Sequence, residues 1–317
     1  MKAFIFEKYG GPETLRLTEV EKPAASADEV LVRVRALSVN PADWHCMRGK
    51  PLFSRATLGM VRPKQRILGG DIAGQVEAVG SGVTRFKPGD EVYANLLDHG
   101  NGGFAEYAPV PPGVMAAKPA NLSFEEAAAV PMAAITALQG LRHHGAIGPG
   151  QKVLINGASG GVGTFAVQIA KSYGAEVTGV TSTRNLDLVR SIGADHVIDY
   201  TTTDFVERAP GYDFILDAIG NRSVPDLKRA LAEGGKASVT GFTSVGNLMG
   251  VSLRGGKDIA MVSAHATGGD LEVLTELIEA GKVSPVIDRS YPFAEIPAAI
   301  SHLEQGHARG KVVAQVG

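Results

Sequence analysis

Apolar and polar positions along this chain follow two rhythms. In the run EVLVRVRALS, residues 29–38, Val30, Val32 and Val34 alternate with Arg33 and Arg35. A period of two puts successive side chains on opposite faces, which predicts a half-buried antiparallel strand with one wet face. Short runs bounded by Gly and Pro predict further strands at 3–6, 71–79, 91–94 and 105–110, so residues 2–121 read as a β-rich module. The texture changes at Asn121, where NLSFEEAAAVPMAAITALQGL carries helix formers, with Ser123 as N-cap and Glu126 at capping-box spacing. Strand and helix patterns then alternate, with strand cores at 152–156, 176–181, 196–198, 214–217, 237–240 and 259–265. Six such units predict an α/β fold with a doubly wound parallel sheet. The tail ends in GKVVAQVG, a strand that sheet does not need, and it is expected to rejoin the first module. The expected domains are 1–122 with 281–317, and 123–280.

A length of 317 residues agrees with two domains, because a single core seldom keeps growing to that size. Hydrophobic residues make up 44% and charged residues 20%, the balance of an ordinary globular protein. No apolar run approaches the length of a membrane span, and the near-equal 31 basic and 33 acidic residues leave no basic block for nucleic acid. Neither a membrane nor a nucleic acid is an expected partner. The N-terminus lacks the regions of a signal peptide, from which a cytoplasmic location is expected. One cysteine, Cys46, excludes an intramolecular disulfide and any multi-cysteine metal site.

The 40 glycines follow no repeat and mark turns. The most informative turn lies in QKVLINGASGGVGTFAVQIAKSYGAEVTGV, which reads strand, glycine turn, helix, strand. Ala158, Gly160 and Gly163 stand at the three glycine positions of the dinucleotide fingerprint, with alanine at the first. Gly160 would let the backbone approach a pyrophosphate and Gly163 would let helix pack on strand. Amides from Ser159 through Gly161 to Val162 would face the anion at the helix N-terminus. After the second strand the residues are TSTRN, where proteins that prefer NAD carry an acid for the ribose 2'-hydroxyl. Ser182 and Arg184 there would accept a 2'-phosphate, so NADPH is the expected cofactor.

With these motifs in place, the chain resembles the zinc-free quinone oxidoreductase (zeta-crystallin-like) branch of the medium-chain dehydrogenase/reductase superfamily. The resemblance rests on NPADWHCMRG, GGDIAGQVEAVGSGVTRFKPGDEVYA, GGFAEYAPV, AAAVPMAAITALQGL, the nucleotide turn and GADHVIDY, in that order. It implies a split GroES-like catalytic domain, a Rossmann domain, and a cofactor in the cleft between them. It also implies that Ser159, Gly161, Val162, Ser182, Arg184 and Tyr200 contact NADPH, with Thr136 near the nicotinamide and Gly241, Phe242 and Lys311 also at the cofactor. Zinc-dependent relatives need a catalytic cysteine and a His-Glu pair. Here Asn40 falls in the cysteine region and Gly70 and Asp71 at the pair, so no metal is expected.

A catalytic zinc polarises oxygen by several kcal/mol, and without one saturated alcohols are poor substrates. Hydride addition to a quinone or an α,β-unsaturated carbonyl needs only a modest hydrogen-bond donor for the delocalised charge. Asn40 is the candidate polar group near the reacting centre, and also reads as a turn residue before Pro41. His45 is the candidate proton donor. Residues 62–70 and 243–256 are expected to line the substrate site. Two other readings stay open: a 2-enoyl-thioester reductase, and a nucleotide-binding regulatory or structural protein with little turnover. A homodimer is expected through the edge of the last Rossmann strand.

Overall fold

The computed structural model describes residues 1–144, 147–208, 211–243 and 245–317. The chain forms two compact units, one of Met1–Met132, Ala266–Glu279 and Ile287–Gly317, the other of Ala133–His265 and Ala280–Val286. These bounds differ from the expected divisions at 122 and 281. The helix Phe124–Ala128 does start at a capping box, Ser123 with Glu126, but it packs on the strands Val30–Val39 and Asp71–Val79 of the first unit. Pro131 cannot donate a backbone hydrogen bond and opens a second helix, Pro131–Arg142.

In the first unit a sheet runs in the order Ile287–Pro292, Lys311–Gln315, Val30–Val39, Asp71–Val79, Glu91–Asn95, Met115–Ala117, with Tyr107–Val110 also paired to Val30–Val39. The C-terminal strand Lys311–Gln315 lies antiparallel to Val30–Val39, with Val313 opposite Ser38. The tail thus rejoins the first module as expected. The wet face expected for the strand at 29–38 is not found: only Arg33 is exposed, and the rest is buried or half-buried. Three strands pair with Val30–Val39, and the helices Phe124–Ala128 and Ile296–Glu304 cover it. The module is also less purely β than expected, since Pro41–Arg48 is a helix.

The second unit is a six-stranded parallel sheet in the order His196–Asp199, Glu176–Thr181, Lys152–Asn156, Tyr212–Asp217, Leu231–Val239, Ile259–Met261. This is the Rossmann order, in which the direction of travel reverses between the first strand, Lys152–Asn156, and the fourth, Tyr212–Asp217. The sixth strand is shorter than the expected 259–265 and, among the described residues, pairs only with Leu231–Val239. The fifth runs from Leu231 to Val239 instead of 237–240. Leu154, Val180, Phe205, Ile215 and Leu227 are among the buried residues of its core. Among the described residues no helix is long and apolar enough to cross a membrane.

Candidate active site

The strand Lys152–Asn156 ends in a tight turn whose left-handed residue is Gly157, at φ 84°. Ala158 therefore carries no conformational strain at the first fingerprint position: the glycine needed for the turn stands one residue earlier. That accounts for the alanine at this position, and the Asn-Gly pair at 156–157 is the sequence signal for the turn. Gly160 caps the helix Gly161–Ser172, and its N–H donates to the Gly157 carbonyl at 3.0 Å. A Cβ on Gly163 would sit 2.1 Å from the same carbonyl, so only glycine lets helix and turn approach this closely. The first-turn amides of a helix have no intrahelical acceptor, and here they stand at the carboxyl edge of the sheet.

Ser159 and the residues after the second strand form one junction. The Thr181 hydroxyl donates to Ser159 Oγ at 2.7 Å, and Asn185 Nδ2 donates to Ser159 Oγ at 3.0 Å and to Ser182 Oγ at 3.3 Å. Arg184 is exposed beside them. The Tyr200 N–H donates to the Thr181 carbonyl at 3.0 Å, which brings this 58% exposed ring to the same corner. An acid that sequence reasoning missed sits nearby: Asp199 accepts the Thr183 hydroxyl at 2.5 Å, and that bond leads the hydrogen bonds holding its pKa below the ordinary value. Its place in GADHVIDY gives no hint of this, because the meeting with Thr183 is made by strand pairing.

Gly241 and Phe242 follow the fifth strand at the same edge. The Thr240 N–H donates to the Asp217 carbonyl, and a Cβ on Gly241 would meet the Ala218 carbonyl at 2.4 Å. Phe242 is 37% exposed. Thr136 is half-buried on the helix Pro131–Arg142, in the same unit. Of the expected segment 243–256, Ser244 lies outside the described residues.

Of the three remaining expected positions, Lys311 and Asn40 meet in the first unit, in a cluster around Asp71 that sequence reasoning did not assemble. Asn40 caps the helix Pro41–Arg48, with its N–H donating to Asp43 Oδ2 at 2.7 Å. Asn40 Nδ2 donates to Asp71 Oδ2 at 2.9 Å, and Lys311 Nζ donates to Asn40 Oδ1. A donor on Oδ1 and an acceptor at Nδ2 fix which way the amide points. Asp71 also accepts the Ser38 hydroxyl at 3.0 Å and the Met132 N–H at 2.9 Å, and lies 3.5 Å from Lys311 Nζ. The Met132 amide is available because it sits in the first helical turn after Pro131.

All five polar side chains are buried, with Asn40 2% exposed, Asp43 1%, Lys311 3%, and Ser38 and Asp71 0%. Burial raises the Asp71 pKa and lowers that of Lys311, and each charge opposes the shift of the other. Donors on every side of Asp71 suit a carboxylate, not an acid. Asp43 has no such company. Among the described residues its Oδ1 lacks a hydrogen-bond partner, and burial, assisted by the Asp71 charge, pushes its pKa up to about 7. His45, on the same helix, stacks on Trp44 at 3.7 Å and lies with Nδ1 3.2 Å from the Lys50 carbonyl. Burial is the main cause lowering its pKa. No group of three or more His, Cys, Asp or Glu that could hold a metal occurs among the described residues.

The fold and these sites define a nicotinamide-dependent oxidoreductase with a GroES-like and a Rossmann part. Residues 26–120 match the alcohol dehydrogenase GroES-like domain, and residues 192–313 match a family model described as zinc-binding dehydrogenase. The chain is 38% identical over 327 residues to the chloroplastic NADPH-dependent alkenal/one oxidoreductase of Arabidopsis thaliana, covering 99% of this chain and 79% of that protein. It is 35% identical over 356 residues to human NAD(P)H oxidoreductase RTN4IP1, mitochondrial, covering 100% and 89%. A solved structure of the quinone oxidoreductase from Coxiella burnetii superimposes with a TM-score of 0.89 at 29% identity, covering 100% and 99%. This chain belongs to the quinone oxidoreductase-like branch of the medium-chain dehydrogenase/reductase superfamily.

Proposed function

We propose that this chain is an NADPH-dependent reductase of quinones or α,β-unsaturated carbonyl compounds that works without a metal. The observation that carries the reading is the corner at the end of the second Rossmann strand, where Ser159, Thr181 and Asn185 are joined by hydrogen bonds and Ser182, Arg184 and Tyr200 stand beside them. An acid at the strand end would repel a 2'-phosphate, and the position holds Thr181. The turn from Gly157 to Gly163 fits a pyrophosphate, because it strips side chains from the approach and presents helix amides. The bound dinucleotide supplies hydride; the protein supplies orientation and exclusion of water.

We assign Asn40 a positioning role. Both ends of its amide are spent inside the cluster, on Lys311 and Asp71. The lowered pKa of His45 keeps it neutral at physiological pH, which weighs against proton donation from its imidazolium. The strand Ile259–Met261 stands at the edge of its sheet with no further strand paired to it among the described residues, which supports the expected homodimer; the mass in solution at micromolar concentration tests it.

Steady-state oxidation of NADPH and NADH with a panel of quinones and enones tests the main reading. NADPH preference with turnover of at least one acceptor class, unaffected by chelator, is the expected result. Preference for NADH, or activity lost to the chelator together with one metal per chain, would overturn it.

A further inference from the structure

We propose that residues 50–64 of the first unit form a docking surface for an anionic lipid bilayer. This departs from the expectation of no membrane partner, which rested on the lack of a spanning run; contact with a bilayer surface requires none. Residues 62–64 also fall in the segment expected to line the substrate site, so the test reads retention on vesicles separately from turnover.

The charge pattern is the first support. The whole chain is nearly balanced, yet between Asp43 and Asp71 there are six Lys or Arg and no Asp or Glu. Arg48 and Arg66 are committed to Glu304 and Glu7. Lys50, Arg62 and Lys64 are exposed, and none of them takes part in an ion pair found among the described residues. The second support is apolar exposure within the same stretch. Leu52, Phe53, Met60 and Val61 are 68%, 61%, 71% and 83% exposed, a density of bare large side chains that water disfavours.

The segment is held in shape. The Lys64 N–H donates to the Leu58 carbonyl at 2.8 Å, closing a loop that has Met60 and Val61 at its tip. Gly59 turns the chain at φ 119°, where a Cβ would meet the Arg62 carbonyl at 2.1 Å. The Tyr9 hydroxyl donates to the Gly59 carbonyl at 2.6 Å, and Arg55 stacks over the Tyr9 ring while its Nε donates to the Gly49 carbonyl at 3.1 Å. A braced loop with an apolar tip and flanking cations matches a surface with anionic headgroups above an apolar layer. A purely apolar partner would leave the cations unmatched, and a purely anionic one would leave Met60 and Val61 in water.

Flotation of the full chain with vesicles tests this, comparing phosphatidylcholine alone with phosphatidylcholine containing phosphatidylglycerol. At low salt the anionic vesicles should retain the chain about tenfold better, and the gap should close as salt rises. M60S/V61S should abolish retention while melting at the wild-type temperature and reducing a water-soluble quinone at the wild-type rate. R62Q/K64Q should remove the preference for anionic lipid. Equal retention on both vesicles, or retention unchanged in both variants, would overturn the proposal. So would wild-type self-association at the same concentration that M60S/V61S abolishes, since the occupant would then be a second copy.

Discussion

At the turn from Gly157 to Gly163 the chain makes room by leaving side chains out, whereas around Asp71 it crowds ionisable side chains into a space without water. The turn is local: its strand, glycines and helix are consecutive, and the forces that shape it are steric. The cluster is assembled from Ser38, Asn40, Asp71, Met132 and Lys311, so the sheet pairing of three distant strands must form before any of its bonds exist. Local steric sites tolerate change in their surroundings, while a buried ion pair depends on every partner, because each charge was taken out of water.

The largest effect should come from breaking the pair in the cluster. Lys311→Met leaves Asp71 buried and uncompensated, and removal of one partner of a buried pair costs roughly 3–5 kcal/mol. Denaturant unfolding at neutral pH measures it; a loss near that of an exposed lysine would show that water reaches Asp71.

Asp43 sharpens the comparison through pH. Its folded pKa, about 7, lies above its ordinary value of 3.8, so the folded state holds a proton that the unfolded state has released. The stability contributed by that proton is complete below about pH 4 and is lost as pH rises through 7. Asp43→Asn, which cannot ionise, should flatten this part of the stability profile; Asp71, Lys311 and Cys46 are the other ionisable groups coupled to Asp43. Thermal melting of both proteins across pH 4–8 reads the difference, and parallel profiles would show that Asp43 titrates normally.

At the turn, Gly163→Val forces a side chain against the Gly157 carbonyl. Overpacking of this kind costs typically about 1–3 kcal/mol, and here the displaced turn should also lose dinucleotide affinity. Calorimetric titration with NADPH, alongside a melt, separates the two; intact binding would mean that the turn relaxes freely.

The smallest effect is expected at the exposed corner. A charge-assisted hydrogen bond contributes roughly 1.5–3 kcal/mol, and exposure of Arg184 halves it, so Arg184→Ala should weaken NADPH by about tenfold and leave NADH nearly unchanged. Fluorescence titration with both cofactors decides; equal losses would place the 2'-phosphate elsewhere. Asp199 sets a second limit, since its carboxylate opposes a phosphate at this corner.

The sequence by itself determined the strand, turn and helix of the dinucleotide site, the six-strand alternation, and the return of Lys311–Gln315 to the first module. Glycine spacing and hydrophobic period are local records of local sterics, and they survive reading one residue at a time. The left-handed residue of that turn, Gly157, lies one position before the fingerprint, and only its φ marks its role. Tertiary structure alone decided that the helix Phe124–Ala128 packs with the first unit, that Val30–Val39 is buried or half-buried except at Arg33, and that Asp199 reaches Thr183. It alone decided, too, that Asn40 and Lys311, 271 residues apart, share a hydrogen bond. No periodicity encodes that meeting: which charges end up together in the dry interior follows from strand register, and register is set by the pairing of the whole sheet.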